Sequence, residues 1–504
     1  MTAVPHGSPA SADPGSWTDV VTAALIGTDR RPTGGTNPAA DVLDRAAAWT
    51  PYLRAGIRAG TLEASVTSAP PESLPPASPA AEARLAVLLD GAGPLDSAAR
   101  DAVLLEWLRL AVEHHRRIAP AQLPALLDFG RTRVDVRPLI VRVSGARGRW
   151  LADQNPEWQY LNRVAGDSGG PPVESATADP ALWTMGARGQ RVEYLRTLRR
   201  NDPAAGRELL EREWVSIPPD ERADLLATLG IQIDHADEPL LERALDDRRR
   251  EVRDTAAALL QRLPDSAYAT RAADRARRCV VVEETSIRVD PPVECDRAMR
   301  RDGIPPKPPS GIGERAWWLE EIVARAPLST WGQPATFLAA RLPDDWAGIV
   351  HRGLGRAAAA QRDPGWAARV LDLISETGHD RSIAAALYPV LPPEVLIGRA
   401  IAALRSGATA VWGPMLAACP APWPEALSRA VFDGVTSLVN RTSLAGDLYQ
   451  LTRLAAVRMA PALAPAAREL ADQAQAADPR ARHGWLHTLA TVLSFRLEMT
   501  QELL

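Results

Sequence analysis

The feature that most constrains the fold is a helical hairpin pattern between residues 238 and 264. Its first helix is predicted to end near Leu245, and Asp246 or Asp247 can cap the second helix, because a carboxylate accepts the free backbone N–H groups of a first turn. Apolar residues at helical spacing then predict a buried stripe made of Ala256, Leu259 and Leu260. Such a hairpin buries its stripe only by stacking on neighbouring elements.

The turn chemistry of this hairpin is repeated along the chain. In three places an aspartate precedes an arginine and then an apolar helix: Asp202 with Arg207, Asp247 with Arg253, and Asp363 with Arg369. The arginines at positions 207 and 253 lie 46 residues apart, inside the roughly 40–47 residues of HEAT-type repeats. Each arginine can bridge to an aspartate of an adjacent repeat. The alternative is that these aspartates begin unrelated helices. The pattern favours an all-α fold, a HEAT-like α-α superhelix (a helical repeat solenoid) with one small β-hairpin insertion.

Composition supports a helical protein. With 504 residues, of which 46% are hydrophobic, the chain is long enough to bury a large core. Phe (4) and Tyr (6) are scarce while Ala and Leu dominate, which favours helices over sheets. A net charge of −4 provides no globally basic surface of the kind that nucleic-acid binding usually needs.

Cysteine usage and hydropathy indicate the compartment. The three cysteines, Cys279, Cys295 and Cys419, are scattered and form no CxxC pair, so neither a disulfide framework nor a zinc site is expected. The first ten residues lack a basic region followed by an apolar run, and no apolar stretch reaches membrane-spanning length. We therefore expect a cytoplasmic protein with no membrane segment and no cofactor.

Composition shifts predict the domain boundaries. Residues 1–16 are predicted to be a disordered tail, and 17–278 an N-terminal helical domain with HEAT-like repeats and a Pro/Ser-rich linker at 66–80. Residues 279–310 are predicted to form a β-hairpin and a proline-rich linker, and 311–504 a C-terminal helical domain. The first helix, 17–26, is predicted to bury a stripe and to end at Gly27; the stripe consists of Val20, Val21, Ala24 and Leu25.

Four segments resemble a bacterial family of unknown function. They are Thr22–Pro32, Gly148–Trp158, the HEAT-like stretch 202–264 and Glu314–Leu319. Members of this family tend to be encoded beside MoxR-type AAA+ ATPases, von Willebrand factor A domain proteins and SWIM zinc-finger proteins. The resemblance therefore implies an accessory part in an ATPase-driven multiprotein system. It implies no catalytic residue, because the family carries no established activity.

The turn after the first helix is the first candidate partner-binding site. Thr28, Asp29, Arg30 and Arg31 follow Gly27, and two adjacent arginines can hold a carboxylate or phosphate between their guanidinium groups. The alternative is a local turn in which Gly27 stops the helix and Asp29 pairs with an arginine.

A second candidate brackets a short helix at 148–154. Arg147, Arg149 and Trp150 lie at its start, and Asn155 and Trp158 follow it. An arginine stacked on a tryptophan is common at recognition surfaces. The same pair is equally common as a packing device between repeats, and the sequence leaves both interpretations open.

Sequence patterns for metal binding, nucleic-acid binding and catalysis are weaker or absent. His483 and His487 have the spacing of two metal ligands but lack a third, and no metal site is predicted. The local basic cluster, Arg248 to Arg250 with Arg271, Arg275, Arg277 and Arg278, is interleaved with acidic residues, so a self-paired surface is favoured over nucleic-acid binding. Walker A, GxSxG and Rossmann motifs are absent from the sequence, so no catalytic residue is predicted. We therefore expect a non-enzymatic scaffold or adaptor; a HEAT-like nucleic-acid-associated protein and an enzyme with an unrecognised site are the alternatives.

Overall fold

The computed structural model describes residues 17–30, 37–56, 68–165, 180–283, 286–377, 381–408, 411–439, 445–477 and 484–504. The chain divides into two compact units, one ending at Ala69 and one comprising Pro70–Leu504. Across the described ranges it forms 26 α-helices, one two-stranded sheet and several short 3₁₀ turns. The predicted tail 1–16 lies outside the described residues.

The first unit contains α1 (Trp17–Ile26) and α2 (Pro38–Gly56). The second unit begins with α3 (Pro79–Asp90), α4 (Ser97–Glu113), α5 (Leu123–Thr132), α6 (Arg137–Gln154), α7 (Tyr160–Ala165), α8 (Pro180–Thr184), α9 (Arg188–Asn201), α10 (Pro203–Glu213), α11 (Arg222–Ala227), α12 (Glu238–Ala244), α13 (Arg250–Leu260) and α14 (Ala267–Cys279). The strands β1 (Val280–Val282) and β2 (Ile287–Val289) follow. The remaining helices are α15 (Arg297–Arg301), α16 (Glu314–Arg325), α17 (Pro334–Ala339), α18 (Asp344–Gln361), α19 (Pro364–Thr377), α20 (Ala384–Leu387), α21 (Pro393–Ser406), α22 (Trp412–Ala418), α23 (Glu425–Leu438), α24 (Ala445–Arg458), α25 (Ala464–Ala477) and α26 (Gly484–Leu503).

The first unit is a pair of helices with a small core. Val20 and Ala23 of α1 are buried together with Val42 of α2, and the rings of Trp17 and Trp49 lie 6.4 Å apart. The predicted stripe of α1 is therefore wrong apart from Val20: the exposed members are Val21, Ala24 and Leu25. The sequence could not decide this, because α1 is apolar on more than one side.

Short polar side chains define where the helices of the second unit begin. Five N-cap side chains each accept a backbone N–H three residues further on, at 2.7–3.1 Å: Ser78, Asp96, Asp202, Ser266 and Asp296. Asp363 does the same for Trp366 at 2.9 Å. Asp247, predicted as a possible cap, instead accepts the N–H of Arg249 at 2.9 Å and closes the turn before α13.

The hairpin of α12 and α13 forms as predicted, and Val252, Ala256, Leu259 and Leu260 are all buried. The expected bridge between repeats holds for Arg207, whose guanidinium lies 3.6 Å from the Asp237 carboxylate. It is wrong for Arg253, which donates to the carbonyls of its own turn, and for Arg369, which pairs with Asp372 of its own helix.

A buried ion pair joins α9 to the turn before α12. Arg199 and Asp237 are fully buried, and two hydrogen bonds of 3.0 and 2.9 Å connect the guanidinium to the carboxylate. Arg199 also donates to four backbone carbonyls, those of Pro203, Leu229, Ile231 and Gln232. A buried charge is tolerated when every polar group around it is satisfied, which is the case here.

The segment 279–310 contains the predicted hairpin, but it is not an exposed linker. β1 and β2 pair antiparallel with Val280 opposite Val289. Ile304 is buried, and the indole N–H groups of Trp317 and Trp318 donate to the carbonyls of Pro305 and Pro306 at 3.2 Å. Proline carbonyls keep their capacity to accept a hydrogen bond, and the α16 tryptophans use it to hold the segment.

The predicted linker 66–80 is also docked over most of its described part. The backbone of Arg117 bonds to Pro75 and Ala77, each at 2.9 Å, and its side chain donates to the carbonyl of Leu74. Ala77 belongs to the main hydrophobic core. The compact units divide at 69/70, before this docked stretch.

The core of the second unit does not follow the predicted division into domains 17–278 and 311–504. One hydrophobic cluster contains residues from 77–161 and from 276–503, and a second cluster lies within 192–268. The last helix, α26, packs on α3 and α4, and Arg496 of α26 bonds to Glu106 of α4. In an open solenoid each repeat contacts only its neighbours, so this contact is a departure from that pattern.

The predicted fold class is confirmed at the level of an all-α protein with one small β-hairpin. The superhelical arrangement of the repeats remains a prediction. None of the helices in the described ranges is long and apolar enough to cross a membrane.

Candidate partner-binding surfaces

The turn after α1 is built by a glycine stop. Gly27 has φ +95°, and its N–H donates to the Ala23 carbonyl at 3.1 Å. The backbone N–H of Arg30 then donates to the Gly27 carbonyl, also at 3.1 Å. Asp29 and Arg30 are exposed and Thr28 is half-buried. The turn therefore presents two charged side chains of opposite sign, while Arg31 lies outside the described residues.

Apolar side chains of the same unit accompany this turn. Leu25 is 81% exposed, Ile26 52% and Leu43 of α2 70%. Single exposed apolar residues are ordinary on a protein surface, but here two of the three directly precede the turn. Apolar residues next to charged ones have the composition of a protein–protein contact, with an apolar centre and a polar rim.

The second candidate lies where α6 is interrupted. Gly145 has φ 63° and ψ −160°, so the helix breaks at this residue and restarts after it. The Glu72 carboxylate accepts the backbone N–H groups of Ala146 and Arg147 at 2.8 and 2.9 Å, in the manner of a helix cap supplied from a distant segment. A Cβ at Gly145 would lie 2.2 Å from Glu72 Oε2, so a side chain at this position would displace the capping carboxylate.

The side chains of the second candidate divide into packed and exposed groups. Asn155 Oδ1 accepts the N–H of Glu157 at 3.0 Å and caps a 3₁₀ turn. The Trp158 indole is half-buried against the core and donates to Asp128 at 2.9 Å. Asn155 and Trp158 therefore have structural roles. Arg147 and Arg149 are exposed and Trp150 is half-buried, so these three remain the candidate contact residues.

Sequence reasoning missed Glu72, because the proline-rich stretch around it indicated an unstructured linker. The two candidate surfaces belong to different compact units, the first to the residues before Ala69 and the second to Pro70–Leu504.

The basic cluster of the HEAT-like stretch is largely paired. Arg271 and Arg275 each lie 2.9 Å from the buried Asp302 carboxylate. Other ion pairs of this cluster join Arg277 to Asp274 and Arg250 to Asp254. The predicted self-pairing therefore holds for these four arginines, and they offer little free charge to a nucleic-acid backbone.

The three cysteines are suited to structure rather than to nucleophilic chemistry. Burial raises the pKa of the Cys419 thiol to about 11, although the nearby Arg458 lowers it. Burial likewise raises the pKa of Cys279 and of Cys295. A thiol with a raised pKa is protonated at neutral pH and is a poor nucleophile and metal ligand.

Buried ion pairs also occupy the interior around α16. Arg356 donates to Glu320 at 3.0 Å and to Glu321 at 2.5 Å, and Arg352 donates to Glu320 at 3.0 Å. Burial lowers the pKa of Arg356, but the two carboxylates outweigh it, and the net pKa is raised. These groups neutralise one another and hold α18 against α16.

No group of three or more His, Cys, Asp or Glu side chains in the described ranges has the arrangement of a metal site. Of the histidine pair considered from the sequence, His483 falls outside those ranges.

These observations define a class: an all-α protein with a single β-hairpin, interior ion pairs and exposed arginine-bearing turns. The chain belongs to the family of unknown function DUF5691, whose model matches residues 19–503. Membership of an uncharacterised family is thus confirmed, and the genomic neighbours implied by the resemblance remain a prediction.

Other comparisons add little. No curated protein matches the chain. A solved structure described as the crystal structure of an engineered protein from the Northeast Structural Genomics Consortium is 14% identical and covers 84% of this chain and 99% of its own, with a TM-score of 0.24. A similarity of this degree supports no inference about fold or function.

Proposed function

We infer that this protein is a helical adaptor that binds protein partners and carries out no reaction itself. The observation that supports this most directly is the α1 turn, where exposed Asp29 and Arg30 stand next to exposed Leu25 and Ile26. Contacts between proteins use apolar centres with charged surroundings, and arginine is enriched among the residues that contribute most binding energy.

The identity of the proposed partner rests on the family resemblance. The adaptor is proposed to work in the cytoplasm with a co-encoded MoxR-type AAA+ ATPase and a von Willebrand factor A domain protein. A HEAT-like superhelix would suit this task, because stacked helical repeats present extended surfaces to other proteins. The exposed Arg147 and Arg149 provide a second contact site on the larger unit.

The test is a charge reversal of the turn, Arg30→Glu together with Arg31→Glu, in the full-length chain. We expect at least about tenfold weaker association with the co-encoded ATPase, measured by interferometry with purified proteins, because desolvated arginines at a contact centre contribute more than 1.4 kcal/mol. The melting temperature should change little, because surface substitutions rarely alter stability.

Arg147→Glu with Arg149→Glu is the matched variant at the second candidate surface. Weakened binding in this variant alone would move the interface to the larger unit and remove the α1 turn from it. Unchanged binding in both variants would overturn the adaptor proposal for these surfaces. Loss of folding in the first variant would show that the turn is structural.

A further inference from the structure

A cleft of about 550 Å³ lies within the larger unit, between the hairpin of α13 and α14 and the ends of α16 and α18. Its volume falls in the range of ligand sites, roughly 300–1,000 Å³. Three arginines and several apolar side chains line it, among them Arg262, Arg325, Arg362, Ile233, Pro264 and Leu328. None of these residues belongs to the two surfaces described above.

The three arginines differ in how far the protein satisfies them. Arg325 is mostly buried; its guanidinium pairs with Glu321 and donates to the Gly303 carbonyl at 2.7 Å, while its Nε is buried with no hydrogen-bond partner. Exposed Arg262 donates to the Gly230 carbonyl at 3.0 Å. The Arg362 side chain is exposed and has no hydrogen bond or ion pair to the described part of the chain. The cleft therefore contains guanidinium N–H groups that no acceptor of the described chain satisfies.

The acidic side chain of the cleft is already engaged. Asp363 Oδ1 accepts the backbone N–H of Trp366 at 2.9 Å, as the cap of α19. The Asp363 carboxylate offsets one positive charge of the cleft, and Glu321, which does not line the cleft, neutralises Arg325. An excess of one positive charge therefore remains in the lining, shared by Arg262 and Arg362, neither of which has an ion pair in the described structure.

Arg362 occupies a backbone position that favours glycine. It has φ 55° and ψ 41°, in the left-handed region, and its N–H donates to the Ala358 carbonyl at the end of α18. Glycine adopts this conformation without the steric cost that a Cβ brings. A large charged side chain is thus kept where the backbone would be more stable without it, as is common at functional positions.

A second cleft shows that this charge imbalance is not general. The larger cleft between α21 and α23, about 720 Å³, contains Arg405 and Arg429, but Glu425 and Asp433 line it as well. Arg429 pairs with Glu425 at 2.6 Å. Equal numbers of acidic and basic side chains leave it with no excess charge.

We propose that the cleft of Arg262, Arg325 and Arg362 binds an acidic segment of a partner protein. Carboxylates match guanidinium groups in geometry and charge, and the apolar walls of Ile233, Pro264 and Leu328 suit the side chains between them. A nucleic acid is disfavoured, because the neighbouring arginines of the HEAT-like stretch are largely ion-paired and give a phosphate backbone no extended basic track. This site extends beyond the adaptor contact at the α1 turn, and the two are tested separately.

The test uses the full-length chain and a fluorescein-labelled hexaglutamate peptide with blocked ends, followed by fluorescence anisotropy. Hexaglutamate should bind and hexaglutamine should not, and binding should weaken as salt screens the charges. Arg362→Gly and Arg262→Ala should each weaken binding by at least about fivefold, since each removes a charge-assisted contact. Arg362→Gly is the decisive variant, because it removes the guanidinium and at the same time relieves the strain of the left-handed backbone at this position.

Two matched controls accompany it. His115→Gly makes the same backbone change at another exposed position with positive φ, 54°, and Arg429→Ala removes an arginine from the charge-balanced cleft. Both should bind hexaglutamate like the unmodified chain. Equal binding by Arg362→Gly and the unmodified chain would overturn the proposal. Tighter binding of hexathymidylate than of hexaglutamate would overturn it in favour of nucleic acid, and full displacement of the peptide by millimolar inorganic phosphate would reduce it to a small-anion site.

Discussion

Arg199 and Arg362 are the same residue type in opposite situations. The Arg199 side chain is fully buried, forms two hydrogen bonds to Asp237 and donates to four carbonyls, whereas the Arg362 side chain is exposed without a partner in the described structure. The difference lies in the acceptors that surround each side chain. Arg199 faces the carbonyls that a helix end and the following turn leave unsatisfied, while Arg362 stands at a helix end that opens on a cleft.

This contrast shows that arginine has two distinct uses in this chain. An interior arginine joins helices because it can donate to several carbonyls at once. Its removal leaves each of these carbonyls without that hydrogen bond. A surface arginine without acceptors contributes little to stability and is available for binding. Between the two extremes lie half-buried and ion-paired arginines, so the cost of substitution should fall along this series.

The largest effect is expected for Asp237→Ala. The variant leaves the buried Arg199 without its counter-charge, and breaking a buried pair in this way costs roughly 3–5 kcal/mol. Urea unfolding should show this loss in the free energy of unfolding directly. Asp234→Ala is the control, because its exposed carboxylate caps the same turn and should cost only about 1 kcal/mol. A loss as small for Asp237→Ala as for the control would mean that the interior pair is not what distinguishes Arg199.

Arg253→Ala should have an intermediate effect. The half-buried guanidinium donates to the carbonyls of Asp247 and Arg248 at 2.8 and 2.9 Å. Losing both should cost about 1–2 kcal/mol in thermal or urea unfolding. Arg250→Ala on the same helix, 70% exposed and paired only with Asp254, should cost less than about 0.5 kcal/mol. Equal costs would contradict the dependence on carbonyl acceptors.

Asp246→Asn should have a smaller, pH-dependent effect. The hydrogen bond from Arg301 lowers the pKa of Asp246 and outweighs the opposing effect of burial. A pKa that is lower in the folded state stabilises the protein above the unfolded-state pKa of about 3.9. This stabilisation is lost as the pH falls through the folded-state pKa. The carboxylate is 64% exposed, so solvent screening limits the effect to under about 1 kcal/mol. The stability difference from the unmodified chain should therefore be present at pH 7 and shrink as the pH falls from about 3.9 through the lower folded-state pKa; a difference that grows on acidification would contradict the assignment.

Arg362→Gly should have the smallest effect on stability. Loss of the left-handed strain offsets the greater chain entropy of glycine in the unfolded state, so the free energy of unfolding should change by less than about 1 kcal/mol. Differential scanning calorimetry of the unmodified chain and the variant measures it. A loss of several kcal/mol would place Arg362 with Arg199 among the structural arginines.

Local chemistry made much of the fold predictable. Asp202 and Asp363 begin their helices as predicted, Gly27 ends α1, and the stripe of α13 is buried because its apolar residues recur at helical spacing. Long-range contacts were not predictable. Nothing in the residues around Pro305 indicates that a tryptophan twelve positions later will use its carbonyl, and composition alone therefore made this segment a linker.

The sites were harder to predict for the same reason. Asn155 and Trp158 are residue types that are common at recognition surfaces. In the structure, however, Asn155 caps a 3₁₀ turn and Trp158 donates a hydrogen bond to Asp128. Arg362 drew no attention from the sequence, because its significance depends on φ and on Arg262, which lies a hundred positions earlier. Whether an arginine is packed or available is decided by acceptors that only the folded chain brings together.

The contact between α26 and α4 has a consequence for how the protein is made. Glu106 bonds to Arg496 across 390 positions. At about 5–20 residues per second, the ribosome reaches the second residue roughly 20–80 s after the first. Throughout that interval the faces of α3 and α4 that α26 covers are exposed to other nascent chains. The larger unit therefore completes its core only after synthesis of α26.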